Sequence, residues 1–191
     1  MKDQDIIKSA AKFISEKLAE EGIKVGSSHI HSAVSAYCGF NSKKALIDNG
    51  PSMDDENIIL SIDPDLPKLS DIISKMKETP LKSCSVDYVG GLINTALTPK
   101  CECCGIKDEE NQPIGDPETP YFEPNGWVCP NCAASKDEYA TCRFCDPDVI
   151  YRADQVNERG ECLEEHNGES VMDDEEEKGW NDYIEYWTKD Q

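Results

Sequence analysis

Between Asp5 and Glu21 the apolar side chains Ile6, Ile7, Ala10, Phe13, Ile14 and Leu18 recur at helical spacing among polar residues, and Gly22 supplies a stop. In the next segment, 27–51, Ser27 or Ser28 can cap a second helix that Gly39 ends. Asn41 can cap a third, closed by Asn49, Gly50 and Pro51. The ENIILSI run at 56–62 reads as a short strand or extended piece. DLPKLSDIISKMKE and SVDYVGGLINTALT then read as two more helices, the second weakened by its glycine pair. Residues 1–98 are thus predicted to form a mainly helical module.

Past residue 98 the apolar periodicity vanishes, Pro, Gly, Asn and Asp become frequent, and eight of the ten cysteines fall within 99–170. Residues 171–191 begin with the charge run MDDEEEK, which reads as an acidic, solvated linker. They end in a segment with Trp180, Tyr183, Ile184 and Trp187 at i, i+3, i+4 and i+7, one face of a tail helix. The expected fold class is therefore a small α+β protein: a helical module, a loop-rich module fixed by metal, and a linker with an amphipathic tail.

Composition explains why such a module would need metal. Only 38% of the 191 residues are hydrophobic, with four Phe and three Trp, so one large apolar core is under-supplied. The opening MKDQDIIKSA has no apolar stretch ahead of a small-residue cleavage site, and no run approaches the roughly 18 apolar residues of a membrane span. A soluble, reduced, cytoplasmic protein without a membrane role is the expectation, and in that setting clustered cysteines point to zinc rather than disulfides.

Zinc takes four ligands in a tetrahedron, and two cysteines separated by two residues can turn a tight knuckle toward one ion. Cys101, Cys104, Cys129 and Cys132 give C-x2-C-x24-C-x2-C, with Gly126 and Trp127 just before the second knuckle. The spacing resembles a zinc ribbon. Cys103 competes with Cys101 as the partner of Cys104. Adjacent side chains point apart, however, so the two-residue gap favours Cys101 and leaves Cys103 a spare thiol. Cys142, Cys145, Cys162 and His166 follow at C-x2-C-x16-C-x3-H, with Gly160 two residues before Cys162, and resemble a treble-clef zinc finger. The expected cofactor is Zn²⁺, two per chain. Consecutive sites are favoured because short loops close at lower entropic cost. A cross-brace wiring, in which the first pair shares a metal with the third and the second with the fourth, stays open. His29 and His31 lie away from any cysteine pair and read as packing or surface residues.

The net charge of −20 is uneven: +1 over residues 1–50, −3 over 51–100, −8 over 101–150 and −10 over 151–191. Such a surface repels a phosphate backbone, and four thiolates around zinc leave a further charge of about −2. Basic protein partners fit better than nucleic acid. The sequence has no G-x-S-x-G, P-loop, dinucleotide fingerprint or H-E-x-x-H. A redox reading of C-P-N-C (129–132) would need a strand before it and a helix after it, where the sequence suggests a Pro/Gly/Asn loop. Both proposed metal sites are filled by protein ligands, unlike a catalytic zinc with an open position.

Ala33, Gly39, Phe40, Ser42, Ala45 and Leu46 make a helix–GFN–helix pattern that resembles a small helical module of uncharacterised bacterial proteins, a resemblance that implies no activity. The same stretch resembles a helix-turn-helix, with Gly39 at the turn and Lys43 and Lys44 on the second helix. The expected function is a non-enzymatic zinc-binding protein acting as a protein-interaction adaptor or inhibitor, with an acidic, DNA-mimic-like surface. The alternative is a DNA-binding transcriptional regulator that uses the helix-turn-helix-like segment.

Overall fold

The structure is a computed structural model that describes residues 5–51, 57–115, 124–135, 137–145, 149–163, 166–168 and 178–179. By contact the chain divides into two compact units, Met1–Asn111 and Gln112–Gln191. Helices occupy the first and short antiparallel strands the second, a small mixed α+β protein.

The first unit contains helices α1 (Asp5–Glu20), α2 (Ser27–Tyr37), α3 (Lys43–Asn49), α4 (Leu66–Lys75) and α5 (Val86–Leu97). Of the periodic residues of α1, Ile7, Ala10, Ile14 and Leu18 are at most 1% exposed, while Ile6 and Phe13 are half-buried at the edge of the core. Helix α1 packs on α2 and α5, and α4 packs on both α2 and α5. Ile30, Val34, Leu69, Leu81 and Ile93 fill the same core. Each large aliphatic side chain buried there contributes about 1.5–3 kcal/mol. Tyr37 ties the core to its polar edge, its hydroxyl donating to Asn94 Oδ1 at 3.2 Å.

Side-chain caps set several helix starts. Asp65 Oδ1 accepts from Lys68 N at 2.8 Å, and Ser85 Oγ accepts from Tyr88 N at 3.2 Å. Two expected caps are corrected. Ser42, not Asn41, caps α3, its Oγ accepting from Ala45 N at 3.1 Å. Gly26 stands at the N-cap of α2 with no side-chain hydrogen bond, so neither Ser27 nor Ser28 has that role. The ENIILSI run is also corrected: it forms a 3-10 turn at Ile58–Ser61. The described residues of this unit include no strand for it to pair with. Instead Ile58 packs with Ile7 and Leu46, while Leu60 points to solvent. The glycine pair of α5 has a packing use, because a Cβ on Gly90 would come within 2.9 Å of Leu66 Cδ2.

The second unit is built differently. Strand β1 (Gln112–Gly115) pairs antiparallel with β2 (Pro124–Val128), with Pro113 opposite Trp127 and an irregularity before Gly115. Helix α6 (Pro130–Ser135) follows, then β3 (Tyr139–Ala140) pairs antiparallel with β4 (Tyr151–Arg152). A parallel bridge between Ile114 and Ile150 joins the two ribbons, with Gly115 N donating to Ile150 O at 2.7 Å. Its buried apolar set among the described residues is small: Ile114, Trp127, Val128, Ile150 and Tyr151, with Cys129, Cys142 and Cys162 among them. The face of Trp180, Tyr183, Ile184 and Trp187 lies outside the described residues, as does all of MDDEEEK except Lys178. No helix among the described residues is long and apolar enough to cross a membrane.

Candidate metal centres

Cys101 opens a turn over residues 102–104. Gly105 N donates back to Cys101 O at 2.8 Å, and Cys101 N donates to Ile106 O at 2.9 Å. Gly105 closes that knuckle at φ +73°, a left-handed conformation that a Cβ would strain. Asn111, 5% exposed, clamps the loop by donating Nδ2 hydrogens to Pro99 O at 2.9 Å and Ile106 O at 3.0 Å. Cys129 follows β2 and Cys132 lies on α6, with Cys132 N donating to Cys129 Sγ at 3.4 Å. The sulfurs of Cys101, Cys104, Cys129 and Cys132 all lie within 4.8 Å of one another. Cys103 is not part of the group, as the two-residue gap predicted.

The expected Pro/Gly/Asn loop before C-P-N-C is corrected, because Pro124–Val128 is a strand and Pro130–Ser135 a helix. Strand pairing with β1 supplies the hydrogen bonds that the Pro, Asn and Gly content had suggested would be missing. The surroundings are nonetheless an antiparallel two-stranded ribbon rather than a redox α/β sheet, and both sulfurs belong to the four-cysteine group.

The second group is Cys142, Cys145, Cys162 and His166, again with every ligand atom within 4.8 Å of the others. Residues 157–160 turn a tight hairpin between Val156 and Cys162, which pair antiparallel. Asn157 Oδ1 accepts from Arg159 N at 2.9 Å and Glu161 N at 3.1 Å, and Gly160 takes φ +77°. From that tip Gly160 O accepts Arg143 N at 2.9 Å, which docks the hairpin on the Cys142–Cys145 knuckle. Cys162 N then donates to Cys142 Sγ at 3.4 Å. Glu161 is fully buried and braces the loop, its Oε2 accepting from Asn157 Nδ2 at 2.7 Å and Gly168 N at 2.9 Å.

The distances fit a zinc tetrahedron. With Zn–S about 2.3 Å and Zn–N about 2.0–2.1 Å, ideal geometry puts sulfurs about 3.8 Å apart and sulfur about 3.6 Å from nitrogen. Cys145 Sγ and Cys162 Sγ are 3.9 Å apart, nearly twice a disulfide bond of about 2.0 Å. His166 Nδ1 stands 3.5 Å from Cys142 Sγ, 3.3 Å from Cys145 Sγ and 3.1 Å from Cys162 Sγ. The ring presents Nδ1 to the sulfurs and stacks obliquely on Phe144, with centroids 5.6 Å apart.

The electrostatics of the group are compatible with a bound cation. Burial opposes charge on Cys142, but the backbone N–H groups of Phe144, Cys162 and Cys145 outweigh it and hold the thiol below its ordinary range. Burial and the neighbouring sulfurs push Cys145 the other way, although Tyr151 donates a hydrogen bond to it. One thiolate is easy to form here, and a second needs positive charge nearby. A divalent ion held by the group would supply it.

Both groups could therefore hold a metal ion, and the ligands assemble in the consecutive rather than the cross-brace grouping. The remaining candidates stay apart from these centres. His29 and His31 belong to neither group, and His31 has its pKa lowered by burial and by Lys43. Burial pushes the Cys38 thiol up to about 12, which leaves it protonated. In the helix-turn-helix-like stretch, α3 is only seven residues long and Lys44 is paired with Asp48 at 2.6 Å. No protein-family model matches the chain, and neither a curated protein nor a solved structure matches it.

Proposed function

We propose that this chain is a zinc protein with two structural sites, Cys101/Cys104/Cys129/Cys132 and Cys142/Cys145/Cys162/His166, that acts without catalysis by binding a basic protein surface. The observation that carries the zinc reading is the completeness of both ligand sets, each with four protein donors converging on one point. A catalytic zinc keeps three protein ligands and an open position, so a filled tetrahedron favours a structural ion. The knuckle spacing supports assignment to zinc-ribbon and treble-clef-like sites.

Charge supports the partner class. Residues 101–191 carry a net −18, from −8 and −10 in their two halves, before any thiolate is counted. Zinc deepens this, because a four-thiolate site has a net charge of about −2 and a three-thiolate, one-imidazole site about −1. A surface of that sign attracts Lys/Arg-rich protein faces and resembles the charge of a nucleic-acid backbone. The test is a titration of the zinc-loaded chain against a Lys/Arg-rich peptide and against duplex DNA at several salt concentrations. Peptide binding that weakens with salt, with no DNA binding, is expected. DNA binding with a steep salt slope would replace this reading with the regulator one.

A further inference from the structure

Among the three thiols of the Cys3His group, Cys142 and Cys162 are buried, while Cys145 is half-buried. Cys145 is thus the thiol of the group that solvent and electrophiles reach first. The side chain set against it is Tyr151, which β4 holds opposite Ala140. The Tyr151 ring is 6% exposed, packed with Cys142 and Cys162, and its hydroxyl donates to Cys145 Sγ at 3.1 Å.

We propose that Tyr151 is a positioning residue for the second zinc site, whose O–H···S hydrogen bond draws charge from the metal-bound Cys145 thiolate and shields it from electrophilic attack. The inference rests on the zinc reading of that group. The buried ligand Cys142 receives backbone N–H donors. At Cys145 a side chain supplies a donor, and a hydrogen bond to a charged sulfur is stronger than one between neutral groups. Partners of this kind orient metal ligands and tune their basicity, and losing one typically costs 10–100-fold in metal affinity or activity.

The test compares the full-length zinc-loaded chain with its Tyr151→Phe variant, which keeps the buried ring and removes only the hydroxyl. Iodoacetamide alkylation followed by peptide mapping should be faster at Cys145 in the variant. Cys129 in the same chain serves as the internal reference and should be unchanged. In the cobalt-loaded proteins the sulfur-to-metal charge-transfer band should move to lower energy in the variant. 3-Fluorotyrosine placed at position 151, a stronger donor, should move both readouts the opposite way, and it decides the matter if the Phe variant fails to load. Equal Cys145 alkylation with an unshifted band, in either variant, would overturn the role of Tyr151. A wild-type chain that takes up no cobalt at this group would instead overturn the zinc reading beneath it.

Discussion

The two units secure their folds by different means. In the first, Ile14, Leu18, Ile30, Leu69 and Ile93 are all within 1% of complete burial, and helices α1, α2, α4 and α5 converge on them. In the second, strands of two to five residues surround few large apolar side chains, and sulfur atoms occupy the buried positions beside them. A two-residue strand pair such as β3–β4 is too short to be stable alone in water. Beside these strands lies the Cys142/Cys145/Cys162/His166 group, which could hold a metal ion. The lesson is that the same chain can specify one region by apolar periodicity and the next by ligand spacing, and each has its own point of failure.

The most damaging change should therefore differ between the two. A structural zinc contributes on the order of 10 kcal/mol to folding in small finger domains. A strong chelator, or Cys129→Ser, should collapse hydrogen-exchange protection over the second unit while α1–α5 keep their helical signal. If the helices lost protection at the same chelator concentration, the contrast between the units would be broken.

The reciprocal change is Leu18→Ala. It removes a fully buried side chain from the helical core and should cost about 2–5 kcal/mol. Thermal unfolding followed by circular dichroism should show the helical transition moving down with zinc content unaltered. Loss of zinc in this variant would mean that the metal centres depend on the helical core.

A smaller effect separates cap chemistry from packing. Asp65→Ala removes the oxygen that accepts Lys68 N and should cost about 1 kcal/mol in the same denaturation experiment. Asn41→Ala should cost far less, since Ser42 is the residue that caps α3. The reverse ranking would contradict the cap assignment.

The smallest effect concerns Lys107, whose ammonium donates to Ala96 O and lies 5.8 Å from the centre of the Phe13 ring. Burial, and then repulsion from Lys100, lower its pKa to about 8 from 10.5. Between those values the unfolded chain holds a proton that the folded chain has released, so stability of the helical unit should rise as pH climbs from 8 toward 10.5. Lys107→Met should flatten that slope, and an unchanged slope would show that Lys107 keeps its proton on folding.

Much of this was legible from residue order. The helices followed from apolar spacing, because a face repeated every three or four residues has one way to be buried. The ligand sets followed from paired cysteines, whose gap of two residues matches the turn a knuckle needs. ENIILSI misled because its β-branched residues suit a strand, while the described residues of the helical unit include no strand beside it and Ile58 instead packs with Ile7 and Leu46. PNGWV misled in the other direction, since pairing with Gln112–Gly115 overrides its turn-like composition. Tyr151, Asn111 and Glu161 gave no local signal. Their roles come from hydrogen bonds that the fold brings to them, Asn111 reaching back to Pro99 and Glu161 forward to Gly168. Gly105, directly after Cys104, and Asn157, three residues before Gly160, were readable as turn residues beside the ligands.

The most direct measurement is the metal content of the intact chain, by native mass spectrometry with elemental analysis under reducing conditions. Two zinc ions per chain are predicted, falling to one when Cys162 and His166 are both replaced by alanine. A native chain with no zinc, or with disulfides joining Cys101, Cys104, Cys129 and Cys132, would contradict the metal reading. One zinc in the native chain, unchanged in the double variant, would remove the second centre.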